Sequence, residues 1–351
     1  VVAILYFSLN HIFVYLGIGL SVLLGFLSYN YIEKIKFQNN FENSLSYLRC
    51  KPVSMVLVVG FIGGITFITT GFQSHYPKEL IIAENEALNR NPFRCDFDQK
   101  FPCYIGNKDN IKAIIVGDSH AEALMTGLTV SLDLKHSGII ALNRSGCPFI
   151  LNAIKISSIG KKQDCYEENI KRLEYLDSHH TGVPVFWIAR TGLYVYGHSN
   201  PIKSDEQRIY FNSQANKEKI SLQEALKINL NMTIERIVVN HPVYLIKPTP
   251  EMRKNIPKTL AKNIILNKKD DLSINYELYL LRNKYIISLI DELAYSNDIQ
   301  ALDPIPYLCD NGRCIAQFNG RPIYSDGDHM SEYGNKLLAP MFQLAIQKHL
   351  N

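Results

Sequence analysis

The chain has 351 residues, 46% of them hydrophobic and 20% charged, with a formal net charge of +4. That is room for a core of ordinary size with something added. Aromatic residues are plentiful, but they do not alternate with Lys and Arg and no long basic run interrupts the chain, so nucleic-acid binding is set aside.

The sequence begins with Val1-Val2 inside an apolar stretch, with no charged segment or small-residue cleavage site ahead of it. It does not read as a signal peptide, and the expectation is a fragment of a longer membrane protein. Residues 12–31, IFVYLGIGLSVLLGFLSYNY, carry no charge, and residues 52–72, PVSMVLVVGFIGGITFITTGF, are equally apolar. A helical span needs roughly 20 predominantly apolar residues, so both are expected to cross a bilayer. Lys34, Lys36, Arg49 and Lys51 lie between them, and only Lys78 follows the second closely. By the positive-inside rule the loop over residues 32–51 is cytoplasmic, and everything after residue 72 lies across the membrane.

The cysteines agree with that orientation. Cys50 stands alone at the cytoplasmic edge, while Cys95, Cys103, Cys147, Cys165, Cys309 and Cys314 all fall in the exported part. An even number in an oxidising compartment points to disulfides. Sequence alone does not choose among the pairings, and proximity favours Cys95–Cys103, Cys147–Cys165 and Cys309–Cys314. A zinc site is the competing reading, but no CxxC pair or clustered His supports it, and no metal is expected.

Residues 73–110 are polar and mixed and read as an irregular linker pinned by cysteines. From Ile111 short apolar runs alternate with amphipathic stretches. IKAIIVGD is a buried strand, AEALMTGLTVSL a helix, SGIIALNR a second strand, and VPVFWIAR a third with Trp187 in the core. LQEALKINLNMTIERI reads as helix, IVVNHPVYLI as strand, and YELYLLRNKYIISLIDELAYS as the longest amphipathic helix. IQALDPI is a short strand, and the chain closes on the helix SEYGNKLLAPMFQLAIQKHL. Strands alternating with helices predict an α/β fold, a parallel sheet sandwiched by helices over residues 111–351, preceded by two transmembrane helices in residues 1–72. Residues 197–219 are polar and ambiguous, and no internal repeat is present.

Two short motifs carry chemistry. Gly117-Asp118-Ser119-His120 ends the first strand, where ligands of such sheets bind. A serine there is exposed above the sheet, with the first amides of the following helix facing a developing oxyanion. The plain alternative is that Asp118 or Ser119 only caps the helix. The second motif, SDGDHMSEYG, places Asp326 three residues before His329, with Ser331 as the N-cap of the last helix. A carboxylate so placed can orient the imidazole and stabilise its cationic form. Here too the plain alternative is a turn with a surface histidine.

Together, a nucleophile turn after the first strand and a D-x-x-H turn before the last helix resemble the SGNH hydrolase family, "GDSH" matching its first block and "DGDHMS" its last. The resemblance implies a flavodoxin-like fold with Ser119 as nucleophile, His329 as general base and Asp326 as its partner; Asp328 is the second choice. It implies oxyanion donors from the Ser119 amide and from Gly146 in NRSGCPF. The family's third-block asparagine has no counterpart in WIARTGLYVYG, where Arg190 stands instead, and Asn143 is a possible substitute. His120 is expected to line the pocket; His179, His180 and His241 are expected to be structural.

FLSYNYIEK resembles the end of the last helix of the acyltransferase 3 membrane family, so the whole arrangement is similar to bacterial acyltransferase 3–SGNH fusions. These O-acetylate lipopolysaccharide O-antigen and related surface glycans. The resemblance implies a multi-pass protein of the bacterial inner membrane with a periplasmic domain after residue 72. It implies acetyl-CoA as ultimate donor, handled by a membrane domain largely outside this chain, so that this fragment binds no cofactor. A Ser119 acyl-enzyme would pass its acetyl group to a sugar hydroxyl. The rival expectations are a membrane-anchored esterase or deacetylase using the same residues, and a non-catalytic domain that binds the glycan acceptor.

Overall fold

A computed structural model describes residues 11–34, 51–69, 76–95, 100–156, 162–163, 165–197, 209–211 and 220–349. Cys50, Lys36 and Arg49 lie outside these residues, as does most of 197–219. The chain divides into two compact units, residues 1–81 with 262–268, and residues 82–261 with 269–351.

The first unit holds helices α1 (His11–Ser28), which runs into a π-helical turn at Tyr29–Glu33, and α2 (Lys51–Ile68). Among the described residues one helical stretch, Val14–Tyr31, is long and apolar enough to cross a membrane. The second expected span is a shorter apolar helix, Val53–Ile68; the end of the run read from sequence, residues 70–72, lies outside the described residues.

The second unit is built on a six-stranded sheet. Its strands are β1 (Cys103–Gly106), β2 (Ile111–Gly117), β3 (Gly138–Asn143), β4 (Val185–Ile188), β5 (Val243–Ile246) and β6 (Gln300–Leu302). They lie in the order β1-β3-β2-β4-β5-β6, with β1 antiparallel to β3 and all other pairs parallel. From residue 78 on, the described helices of nine residues or more are α3 (Lys78–Glu86), α4 (Ser119–Thr129), α5 (Cys165–Ser178), α6 (Leu222–Val238), α7 (Ile256–Ile265), α8 (Tyr276–Ser296) and α9 (Ala339–Gln347).

Side-chain alternation along the strands sorts the core into two layers. Ile114 and Val116 of β2 and Trp187 of β4 face Leu173 of α5, Ile234 of α6 and Ile286 of α8. Ala113 and Ile115 of β2 and Phe186 of β4 face Leu124 of α4 and Phe342 of α9. Trp187 is fully buried, and its indole N–H donates to the Phe149 carbonyl at 2.9 Å.

Three sequence expectations are corrected. The 73–110 segment is not an irregular linker throughout: it contains α3, and β1 joins the main sheet through Cys103–Gly106. A four-residue edge strand between Pro102 and Gly106 is too short to carry a periodic signal. The run IVVNHPVYLI is a strand only from Val243, because Ile237 lies in the core as the last turn of α6 and a turn through Asn240 intervenes. The closing helix is broken into Glu332–Asn335, a 3-10 turn at Lys336–Leu338, and α9, with Pro340 at the start of the last piece. The three disulfides Cys95–Cys103, Cys147–Cys165 and Cys309–Cys314 are those that proximity favoured.

Strand order reverses at β2: the chain steps to β3 on one side and later to β4 on the other. Such a reversal opens a crevice at the carboxyl ends of the strands. Gly117 sits at that point because a side chain would not fit: an added Cβ would lie 1.7 Å from the Ile188 carbonyl oxygen. Gly117→Ala is therefore expected to push β2 from β4 and to cost about 3 kcal/mol or more of stability, read from the denaturant midpoint.

Candidate active site

The turn between β2 and α4 is held by Asp118, not by Ser119. Asp118 is the N-cap of α4: its buried carboxylate accepts the His120 N–H at 2.8 Å, the Arg190 N–H at 2.8 Å and the Tyr194 hydroxyl at 2.6 Å. One side chain thus caps the helix and ties the end of β2 to Arg190, two residues past the end of β4. This division of labour leaves the Ser119 hydroxyl available.

Ser119 Oγ lies 2.8 Å from His329 Nε2, and His329 Nδ1 lies 2.9 Å from Asp326 Oδ2. The second oxygen of Asp326 accepts the backbone N–H groups of Asp328 and His329 at 2.9 and 2.8 Å, so the carboxylate is fixed from within its own turn. Asp328 Oδ1 is farther from His329 Nδ1, at 3.5 Å. Of the two carboxylates, Asp326 is the nearer to the ring.

Packing between distant segments brings the two turns together. Asn335 donates from its side chain to the Ala123 carbonyl at 2.7 Å, and a Cβ on Gly127 would meet the Asn335 carbonyl at 2.6 Å, so the Glu332–Asn335 helix lies directly on α4. Ser331 caps that helix by accepting the Gly334 N–H at 3.1 Å. The loop after β5 grips the other side, Met252 N–H donating to Gly327 O and Ile256 N–H to Asp326 O.

The expected oxyanion residues occupy the neighbouring strand end. Arg144 N–H donates to the Gly117 carbonyl at 3.0 Å, and Cys147 N–H closes a turn onto Arg144 O with Gly146 at φ +73°. A left-handed third position is what a type II turn asks of glycine. The Ser145 hydroxyl reaches Glu122 of α4 at 3.3 Å, and the Cys147–Cys165 bridge ties the turn to α5. Asn143 pairs with Gly117 across the ladder; its amide is buried and neither polar atom has a hydrogen-bond partner among the described residues. Leaving such a group unsatisfied costs about 1–3 kcal/mol.

Arg190 is engaged elsewhere. One terminal nitrogen donates to Glu251 at 2.5 Å and the other contacts Asp328, leaving its buried Nε–H without a partner among the described residues. Glu251 also accepts from Arg282 at 3.1 Å. Burial alone would raise the Glu251 pKa, but the two guanidinium groups hold it below the usual carboxylate range.

Sequence reasoning missed three members of this surround. Fully buried Arg172 donates to the carbonyls of Gly117 and Leu142 at 3.0 and 3.2 Å, clamping the ends of β2 and β3, and burial pushes its guanidinium down to about 9. Glu251 and Arg282 are the other two. His120 does more than line the pocket: its Nε2 lies 3.5 Å from Asp328 Oδ2 and its ring centre 4.9 Å from that of His329. His241 is structural as expected, its ring nitrogens meeting the carbonyls of Val183 and Leu176.

Ligand atoms of His120, Asp328 and His329 lie within 4.8 Å of one another, close enough to hold a metal ion. Asp328 is already neutralised by the Arg190 guanidinium, and His329 is bonded on both sides, so a cation would have to displace existing partners. The arrangement fits a cluster of charge partners better than a metal centre.

Burial alone would lower the His329 pKa, but hydrogen bonds to Asp326 and Asp328 push it up to about 10. Burial would raise Asp328, yet His120 and His329 hold its carboxyl well below the ordinary range. A base must be neutral to accept a proton, so activity through His329 should appear as pH rises. Its midpoint should fall on the alkaline side of the ordinary histidine value of about 6.5. Asp328→Asn removes one of the two carboxylates and is expected to move that rising limb to lower pH by about one unit or more. A kcat/KM–pH profile with an activated ester measures this; a purely structural role would lower the rate without moving the limb.

A largely parallel sheet covered on both faces by helices, with a serine turn at the carboxyl end of β2, is the architecture of an SGNH-type domain. The chain belongs to the family described as "SGNH domain (fused to AT3 domains)", whose family model matches residues 93–344. No curated protein matches the chain. Among solved structures it is similar to the lipopolysaccharide acetyltransferase periplasmic domain of Salmonella ser. Paratyphi A, with 18% identity and a TM-score of 0.49 over 68% of this chain and 85% of that one.

Proposed function

We propose that this chain is the acceptor-side part of a membrane O-acyltransferase that acetylates a hydroxyl of a surface polysaccharide such as lipopolysaccharide O-antigen. The observation that carries the reading is the continuous hydrogen-bonded line Ser119–His329–Asp326, in a chain whose family consists of SGNH domains fused to AT3 domains. In the first step Ser119 Oγ bonds to the acyl carbon, His329 Nε2 takes the hydroxyl proton, and that proton leaves with the donor's leaving group. In the second, a sugar hydroxyl gives its proton to His329 and its oxygen bonds to the acyl carbon. The Ser119 ester bond breaks, and Ser119 regains a proton. Asp326 holds the ring in place and stabilises its charged form.

The Ser119 amide and Gly146 are the proposed backbone donors to the oxyanion, with the unpartnered Asn143 amide as the side-chain donor in preference to Arg190, whose terminal nitrogens are taken. The membrane assignment is proposed as follows: residues 1–72 hold two spans, and the unit from residue 82 onward, with β1 in its sheet, is periplasmic on a bacterial inner membrane. The apolar faces of α1 and α2 support this, with Tyr15 and Phe61 each about 70% exposed, as do three disulfides in the second unit. An acyltransferase 3 membrane domain would deliver acetyl drawn from acetyl-CoA. The test is to supply p-nitrophenyl acetate with and without the cell's own polysaccharide: a sugar O-acetyl ester is expected. Free acetate alone, unaffected by polysaccharide, would mark an esterase and overturn transfer.

A further inference from the structure

A groove of about 640 Å³ lies between the end of α3 and the hairpin at residues 317–322, within the second unit. Its size is that of small-ligand sites, which run from roughly 300 to 1,000 Å³. We infer that this groove is a binding subsite for an uncharged sugar unit of the polysaccharide acceptor, a unit remote from the hydroxyl that reacts; the inference rests on the acyl-transfer reading above.

The groove is built and rigid. Glu86 is 1% exposed, and its carboxylate accepts from Arg321 Nε at 2.5 Å and from Asn89 Nδ2 at 2.7 Å. The Arg321 guanidinium lies 4.4 Å from the centre of the Tyr333 ring, and the Tyr333 hydroxyl donates to the Phe318 carbonyl at 3.3 Å. These contacts hold the wall and its aromatic face before any ligand arrives, which lowers the ordering cost of binding.

The chemistry on offer is neutral. Arg321 is paired with Glu86, so among the described residues the groove presents no spare cation for a phosphate or carboxylate. The exposed side-chain amides of Asn85 and Asn319 border it, and neither makes a hydrogen bond among the described residues. Each amide offers two donors and an acceptor, which suits the alternating donor and acceptor character of adjacent sugar hydroxyls. Apolar surface at Leu88, also in the lining, supplies contact for the C–H face of a ring.

The groove also adjoins the reacting groups. Asn89 in its wall accepts the Glu332 N–H on its carbonyl at 2.9 Å, and the next residue, Arg90, reaches Asp326 Oδ2 at 3.8 Å. Tyr333 follows His329 by four residues on the short helix that lies on α4. A polysaccharide with one unit at Ser119 can therefore extend a more distant unit along this wall.

The test uses the full chain with Asn85→Ala and Asn319→Gly combined, both at exposed positions away from Ser119, His329 and Asp326; glycine keeps the left-handed turn that Asn319 adopts at φ +49°. Acetylation of Ser119 by p-nitrophenyl acetate should be unchanged. The KM for the cell's own polysaccharide, released by mild acid, should rise about tenfold through loss of two amides' hydrogen bonds, while kcat stays within about threefold. An unchanged KM would overturn the subsite and leave the acyl-transfer reading standing. If the wild-type chain transfers no acetyl, that reading falls, and equilibrium dialysis with the same polysaccharide decides the groove on its own. Binding that the double variant loses supports it; equal binding, or none by the wild type, overturns it.

Discussion

Ser119→Ala is expected to remove acyl transfer almost completely, by roughly ten-thousandfold to a millionfold, because the acceptor of the acyl group is gone while the surrounding donors remain. Little else should change. Asp118, not Ser119, caps α4 and ties β2 to the segment past β4, and the hydroxyl's hydrogen-bond partner in the structure is His329. The variant should keep the wild-type unfolding midpoint and still bind polysaccharide. Steady-state transfer from p-nitrophenyl acetate, with the melting curve as control, separates this outcome from a folding defect. Activity within tenfold of wild type would show that the ester is not carried by this residue.

His329→Ala is expected to lower the rate by about a hundred- to ten-thousandfold, the usual span for loss of a positioned acid–base group. It should also abolish the alkaline-shifted limb, since the group whose proton is held by Asp326 and Asp328 would be absent. The side chain is partly exposed, and its loss leaves Asp326 still accepting two backbone N–H bonds, so the turn should survive. The measurement is kcat/KM between pH 6 and pH 10 in approximate half-unit steps: a flat, low profile is predicted. A profile that keeps the wild-type limb would assign the titration to another group.

The proposed reacting residues were legible in the sequence because each is defined by a local pattern. GDSH follows a run of Ile and Val that could only be a buried strand, and D-x-x-H precedes a capped helix, so each side chain is placed by its own turn. The surround was not legible, because it is assembled across long separations. Arg190 meets Glu251 from 61 residues away, Arg172 reaches Gly117 from 55, and neither spacing leaves a periodic trace. Asp118 hid its role for a different reason: as one of two possible caps beside a possible nucleophile, only the partners of its second oxygen settle what it does. The misread run at Ile237 illustrates competition between propensity and packing. Its β-branched residues suit a strand, but burial of Ile234 and Ile237 against the sheet keeps them in α6.

The account turns on a covalent bond at one oxygen. Mass spectrometry of the full chain after a short pulse of p-nitrophenyl acetate, quenched in acid and digested, reads it directly. An acetyl ester on Ser119 is predicted, absent in Ser119→Ala and removed when polysaccharide is added before the quench. Acetyl found only on lysines or other surface groups, with the peptide bearing Ser119 unmodified in the wild type, would contradict the account.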